Sequence, residues 1–142
     1  MRYSRAVPQR VFFYGTLMTG FDRRRRLGVD DRFLFRGRGS IDALLFDLGL
    51  YPAAVPASDS LVHGEVFEIL DEGTVIAAID EIEGYEPRDP DASLYVRREV
   101  PVKLEDGTTV DAWVYFYNAP LGHAPRIESG DYRAHLRGGP RP

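Results

Sequence analysis

Apolar positions along this chain fall mostly into the two-residue rhythm of strands, with one stretch in the rhythm of a helix. Val11-Phe12-Phe13-Tyr14 is a short β-branched and aromatic run that stops at Gly15-Thr16, which predicts a buried strand ending in a tight loop. Phe33 to Leu48 is apolar-rich and broken by Gly37 and Gly39, as expected of strands with a bend or bulge. Gly49-Leu50-Tyr51-Pro52 reads as a turn. Leu61 to Leu70 reads as a strand with Val62, Gly64 and Val66 on one face and His63, Glu65 and Phe67 on the other. Leu94 to Leu104 and Val110 to Tyr117 are two more strands, joined through the hairpin signal Asp106-Gly107. On the last strand Trp113, Tyr115 and Tyr117 share a face, opposite Val114 and Phe116.

The helix runs from Asp71 to Glu83. Asp71 is the expected N-cap, Glu72 suits the first turn, Gly84 is the expected C-terminal cap, and Pro87 prevents continuation. Residues 85–93 read as a polar surface loop, a short helix is expected at 130–136, and the last few residues are expected to be loose. This order predicts an α+β fold rich in antiparallel strands. A length of 142 residues suits one domain over 1–142 with its core at about 11–136.

The helix carries one acid in an unexpected place. With Ile76 at zero and about 100° per residue, Ile79, Val75 and Ile82 fall near ~300°, ~260° and ~240° and define the buried arc. Glu83 falls inside that arc near ~340°, Asp80 at its edge near ~40°, and Glu81 on the opposite side near ~140°. An inward carboxylate at a helix C-terminus is disfavoured as an anion by desolvation and by the helix dipole. Its pKa therefore rises toward neutrality, where it suits proton transfer. The alternative is that the last turn frays and Glu83 turns to solvent.

Composition narrows the rest. The chain has no cysteine, so neither disulfides nor a thiolate nucleophile are available. A net charge of −4 weighs against general nucleic-acid binding. The first eight residues contain no apolar core of a signal peptide, and no apolar run reaches membrane-spanning length. A cytoplasmic protein with no membrane partner is expected, as a monomer or weak dimer. His63, His123 and His135 lack metal-ligand spacing, and no phosphate-loop, GxGxxG or GxSxG motif is present. Arg23 to Arg26 is expected to be a solvated face.

Two further features carry candidate chemistry. Tyr14-Gly15-Thr16-Leu17 ends the first strand where converging backbone N–H groups suit a carboxylate, though an ordinary turn fits as well. Tyr85, Tyr95, Tyr115 and Tyr117 suit either a ligand pocket or plain core packing.

Taken in order, Tyr14-Gly15-Thr16-Leu17, Leu50-Tyr51-Pro52-Ala53, Gly64-Glu65-Val66-Phe67, Ile79-Asp80-Glu81-Ile82-Glu83-Gly84-Tyr85, Tyr95-Val96-Arg97 and Ala112-Trp113-Val114-Tyr115 form a series. This series resembles the gamma-glutamylcyclotransferase-like superfamily, in its AIG2-like branch, over about residues 11–136. Thr16-Leu17 stand where some relatives carry serine-asparagine, which points away from the glutathione-specific branch.

The resemblance implies a small, mostly antiparallel β-barrel with a few packed helices and a pocket at its mouth. It implies that Tyr14, Gly15, Thr16 and Leu17 bind the amino-acid head of the substrate and that Glu83 is the acid/base. Tyr95 and Tyr115 are assigned to the same substrate pocket, and the 86–93 loop is expected to shape or cover it. The implied reaction is cofactor-free and metal-free. The α-amine of a γ-glutamyl compound attacks its own γ-carbonyl, releasing 5-oxoproline and a free amine. A non-catalytic module that holds a small metabolite or peptide end on the same barrel is the competing reading.

Overall fold

Five strands, β1 (Gln9–Phe13), β2 (Phe33–Asp47), β3 (Pro52–Ile69), β4 (Tyr95–Leu104) and β5 (Thr109–Tyr117), close into a barrel in the order β1-β3-β2-β4-β5. This is a computed structural model, and it describes residues 9–138 except 22, 27, 29 and 71. The expected N-cap Asp71, the residues before 9 and the tail after 138 lie outside the described residues. All pairings are antiparallel except the seam that closes the barrel, where β1 runs parallel to β5 with Val11 opposite Trp113. Closure matters because an open sheet would leave unpaired N–H and C=O groups at its edges. Among the described residues three α-helices complete the α+β fold: α1 (Arg23–Arg26), α2 (Glu72–Ile82) and α3 (Tyr132–Gly138).

The strand candidates of the sequence are present, with one large extension. β3 begins at Pro52, so residues 53–60 are strand although their Ala, Pro and Ser content signals none. Pairing supplies what propensity lacks. Asp47 to Ala43 of β2 lie opposite Pro52 to Pro56 of β3. The register then jumps to Asp42 opposite Leu61, and Pro56 sits at that irregularity, where a missing N–H is tolerated. A second shift between Phe35 and Gly37 is the bend expected of the Gly37–Gly39 segment.

The barrel is filled by Phe12, Ile41, Leu45, Val62, Val66, Val102 and Val114, all almost entirely buried, while Val11 is buried on the opposite face of β1. Val62, Gly64 and Val66 are buried together as their alternation predicts, while on the other face His63 is exposed. In α2, Val75 and Ile79 are buried, Ile76 and Ile82 half-buried and Glu81 exposed. Asp80 departs from its expected edge position and is buried.

Candidate active site

The last turn of α2 does not fray. The Glu83 N–H still donates to Ile79 O at 2.9 Å. Gly84 follows in the left-handed region at φ 67°, its N–H reaching Glu81 O at 3.2 Å and the Tyr85 N–H reaching Asp80 O at 2.8 Å. That pair of bonds is a Schellman cap, which satisfies the terminal carbonyls and makes Glu83 the capping residue. The Glu83 side chain is thereby held in a defined direction, half-buried in the wall of a cavity of about 100 Å³.

Across that cavity lies the loop that ends β1. Gly15, Thr16 and Leu17 line it together with Tyr14. The loop reverses through Met18 N–H to Gly15 O at 3.1 Å. The amides of Gly15, Thr16 and Leu17 bond to no described residue, which leaves their donors available. Glycine is required at the first of these positions: a Cβ on Gly15 would lie 2.9 Å from Cγ of Pro52, a neighbouring wall residue.

Burial pushes the Glu83 carboxyl up to about 7, while the Arg23 guanidinium pulls it down. At neutral pH the group exists in both protonation states, the condition for taking a proton and giving it back. Burial also drives the Tyr14, Tyr95 and Tyr115 phenols upward, so all three are neutral.

The three tyrosines line the cavity, but their hydroxyls are engaged within the protein. Tyr14 Oη accepts from Ala54 N–H at 3.2 Å and donates to Tyr115 O at 2.6 Å. The Tyr95 hydroxyl donates to Pro52 O at 2.9 Å. The Tyr115 hydroxyl donates to Asp80 Oδ1 at 2.6 Å. These hydroxyl bonds tie the end of β1 to β3 and β5, β4 to β3, and β5 to α2, and leave the rings as the surfaces these residues present to the cavity. Of the other tyrosines, Tyr117 packs against Tyr95 with ring centroids 5.2 Å apart, and Tyr85 lies beside Arg97.

Three expectations are corrected. Arg23 and Arg24 are not a solvated face. Arg23 lines the cavity and donates to Thr16 Oγ1 at 2.9 Å, while Arg24 is buried with its guanidinium 4.2 Å from the Phe67 ring centre. The 86–93 loop neither covers nor lines the cavity; Leu94 does. That loop folds on itself, with Ser93 Oγ accepting from Glu86 N–H at 2.8 Å and donating to Asp89 O at 3.1 Å. Asp80 is not a helix-edge residue. It takes a two-pronged ion pair from Arg97, at 2.8 Å and 3.1 Å, and Arg97 lies over the Trp113 ring. Arg97 and Tyr115 face each other across β4 and β5, so the strand register presents both to Asp80. Helical periodicity carries no signal for that.

Among the described residues, no group of three or more His, Asp or Glu side chains could hold a metal ion, and no helix is long and apolar enough to cross a membrane.

Comparison with known proteins gives this arrangement its relatives. Residues 11–134 match the family model described as gamma-glutamyl cyclotransferase, AIG2-like. A Methanocaldococcus jannaschii protein provisionally named as a gamma-glutamylcyclotransferase is 33% identical over 87% of this chain and 94% of its own length. The YtfP protein of Escherichia coli K12, named for the gamma-glutamylcyclotransferase family, is 32% identical over 87% of this chain and 95% of its own. Among solved structures, YtfP from Escherichia coli aligns with a TM-score of 0.62 at 30% identity, covering 92% of this chain and 100% of that one. An AIG2-like protein from Mus musculus aligns with a TM-score of 0.69 over 94% of this chain and 97% of its own; at 22% identity this speaks to the fold. With a family model spanning nearly the whole chain, and Tyr14–Leu17 facing Glu83 across one cavity, this chain belongs to the gamma-glutamyl cyclotransferase, AIG2-like family of enzymes.

Proposed function

We propose that the chain converts a small γ-glutamyl compound into 5-oxoproline and a free amine, with Glu83 as the single proton carrier. The observation that carries this reading is a carboxyl poised near 7, opening into the same cavity as the unengaged amides of residues 15–17. The amides receive the α-carboxylate of the γ-glutamyl head. The rings of Tyr14, Tyr95 and Tyr115 pack against its methylene chain.

The α-amine and the γ-carbonyl belong to one molecule, so the protein needs only to hold the chain curled for attack. As the nitrogen bonds to the carbonyl carbon, ionised Glu83 takes the proton that the nitrogen must lose. Protonated Glu83 then delivers it to the departing nitrogen while the original C–N bond breaks. The lactam forms, the amine leaves, and Glu83 returns to its starting state. No other proton carrier is required, because one carboxyl serves both steps.

The test is incubation with a panel of γ-glutamyl amino acids, amines and isopeptides, with 5-oxoproline read by mass spectrometry. The wild-type protein releases the lactam from at least one of them. Glu83→Gln, folded by circular dichroism, loses at least ~100-fold of that rate. A Glu83→Gln protein that turns over at the wild-type rate refutes the assignment. Binding of the panel without lactam release favours the metabolite-holding module instead.

A further inference from the structure

The cavity has a second charged wall. Arg23 is the first residue of α1 and belongs to a run of four arginines that an acidic chain would ordinarily keep in water. Here the chain folds it back onto the loop it has just left. Thr19 N–H donates to the buried carboxylate of Glu65 at 2.7 Å. Arg133 of α3 bonds both to that carboxylate, at 3.3 Å, and to Thr19 O. Phe21 stacks on Tyr132 with ring centroids 6.2 Å apart. These contacts close the segment into a hairpin-like reversal, and the Arg23 guanidinium ends 2.9 Å from Thr16 Oγ1.

Only one of its five N–H donors is used there. Arg23 forms no ion pair with any described residue, although it lines the same cavity as Glu83. A cation stationed in a half-enclosed cavity, beside three unengaged backbone amides, is a receptor for an anion. The Thr16 contact places it next to the amides, in the cavity that Glu83 also lines.

We propose that Arg23 is a specificity-determining residue that binds the α-carboxylate of the substrate head together with the amides of residues 15–17. This rests on the cyclotransferase reading for the identity of the ligand. The α-carboxylate and the α-amine share one carbon, so anchoring the first on Arg23 presents the second toward Glu83. Compounds that lack a carboxylate at that carbon lose this anchor and are discriminated against.

The test compares 5-oxoproline with 5-oxoprolinamide, its uncharged carboxamide, by calorimetric binding to the wild-type protein, Arg23→Gln and Arg23→Lys. The wild-type protein prefers 5-oxoproline by ~10- to 100-fold, the range of one charge-assisted hydrogen-bond pair. Arg23→Gln loses the preference because its affinity for the acid falls while that for the amide is unchanged. Arg23→Lys retains part of it. Equal weakening of both ligands in Arg23→Gln would mean that Arg23 merely supports the loop, and overturns the proposal. A preference undiminished in Arg23→Gln assigns it to the amides alone and overturns the proposal, as does absence of a preference in the wild-type protein. Turnover of γ-glutamyl compounds is followed separately. Lactam release without charge preference removes the role of Arg23 only, whereas charge preference without lactam release removes the proposed reaction only.

Discussion

Replacing Glu83 with glutamine removes a charge that the folded protein holds at a cost, so the variant gains stability in one pH range and not in another. The folded-state value of about 7 lies above the ordinary 4.5. Below pH 4.5 the carboxyl is protonated in both states and the penalty is absent. Between the two values the unfolded chain releases its proton while the folded chain keeps it, so stability falls as pH rises. Above about 7 both states are ionised and the full penalty stands. The gap corresponds to roughly 3 kcal/mol, reduced to about 2 kcal/mol because the half-buried group retains some solvent screening. For a chain of this size, 2 kcal/mol is about 6 °C in Tm. Thermal unfolding of both proteins at pH 5 and pH 8.5 reads this directly. Glu83→Gln melts about 6 °C higher than wild type at pH 8.5, and the gap shrinks to less than half of that at pH 5. An equal gap at the two pH values, or a variant less stable at pH 8.5, would refute the claim that Glu83 is held desolvated. The same variant is the one expected to lose turnover, a stability gain bought with function.

Other outcomes follow from the same geometry. The kcat/KM of the wild-type protein on a γ-glutamyl substrate rises with pH through about 7, as Glu83 ionises to become the base; a profile flat from pH 5 to pH 9 contradicts this. Gly15→Ala forces a Cβ to 2.9 Å from Pro52 and costs about 1–3 kcal/mol in urea unfolding, together with most of the activity. Asp80→Asn strands the Arg97 guanidinium without its counter-charge and costs about 3 kcal/mol; a loss under 1 kcal/mol would show that the ion pair is not effectively buried.

Much of the site was legible because its parts are local. The helical period put Glu83 on the same arc as Val75 and Ile79, and the glycine after it marked the cap that holds it there. The Tyr14–Leu17 loop was visible as a strand run meeting Gly15. Asp80, Arg97 and Arg23 were not visible in their roles. Arg97 and Tyr115 meet Asp80 only through the register of β4 on β5. Arg23 meets Thr16 only after Glu65 and Arg133, far away in sequence, clamp the intervening turn. The strand at residues 53–60 was likewise invisible, since Ala53 to Pro56 become strand by pairing with β2 and the residues after them fill the register jump that precedes Leu61.

On its own, then, the order of amino acids determined most of the strands and the main helix, where its glycine cap falls, and that Glu83 faces inward. Those properties depend on neighbours within a few residues, through backbone sterics and the 2.0 and 3.6 periods. Tertiary structure alone decided which charges meet, which tyrosine hydroxyls are engaged, and that a cation shares the cavity with Glu83. Each of these depends on desolvation and on contacts between segments tens of residues apart, which closure of the barrel creates and no local pattern encodes.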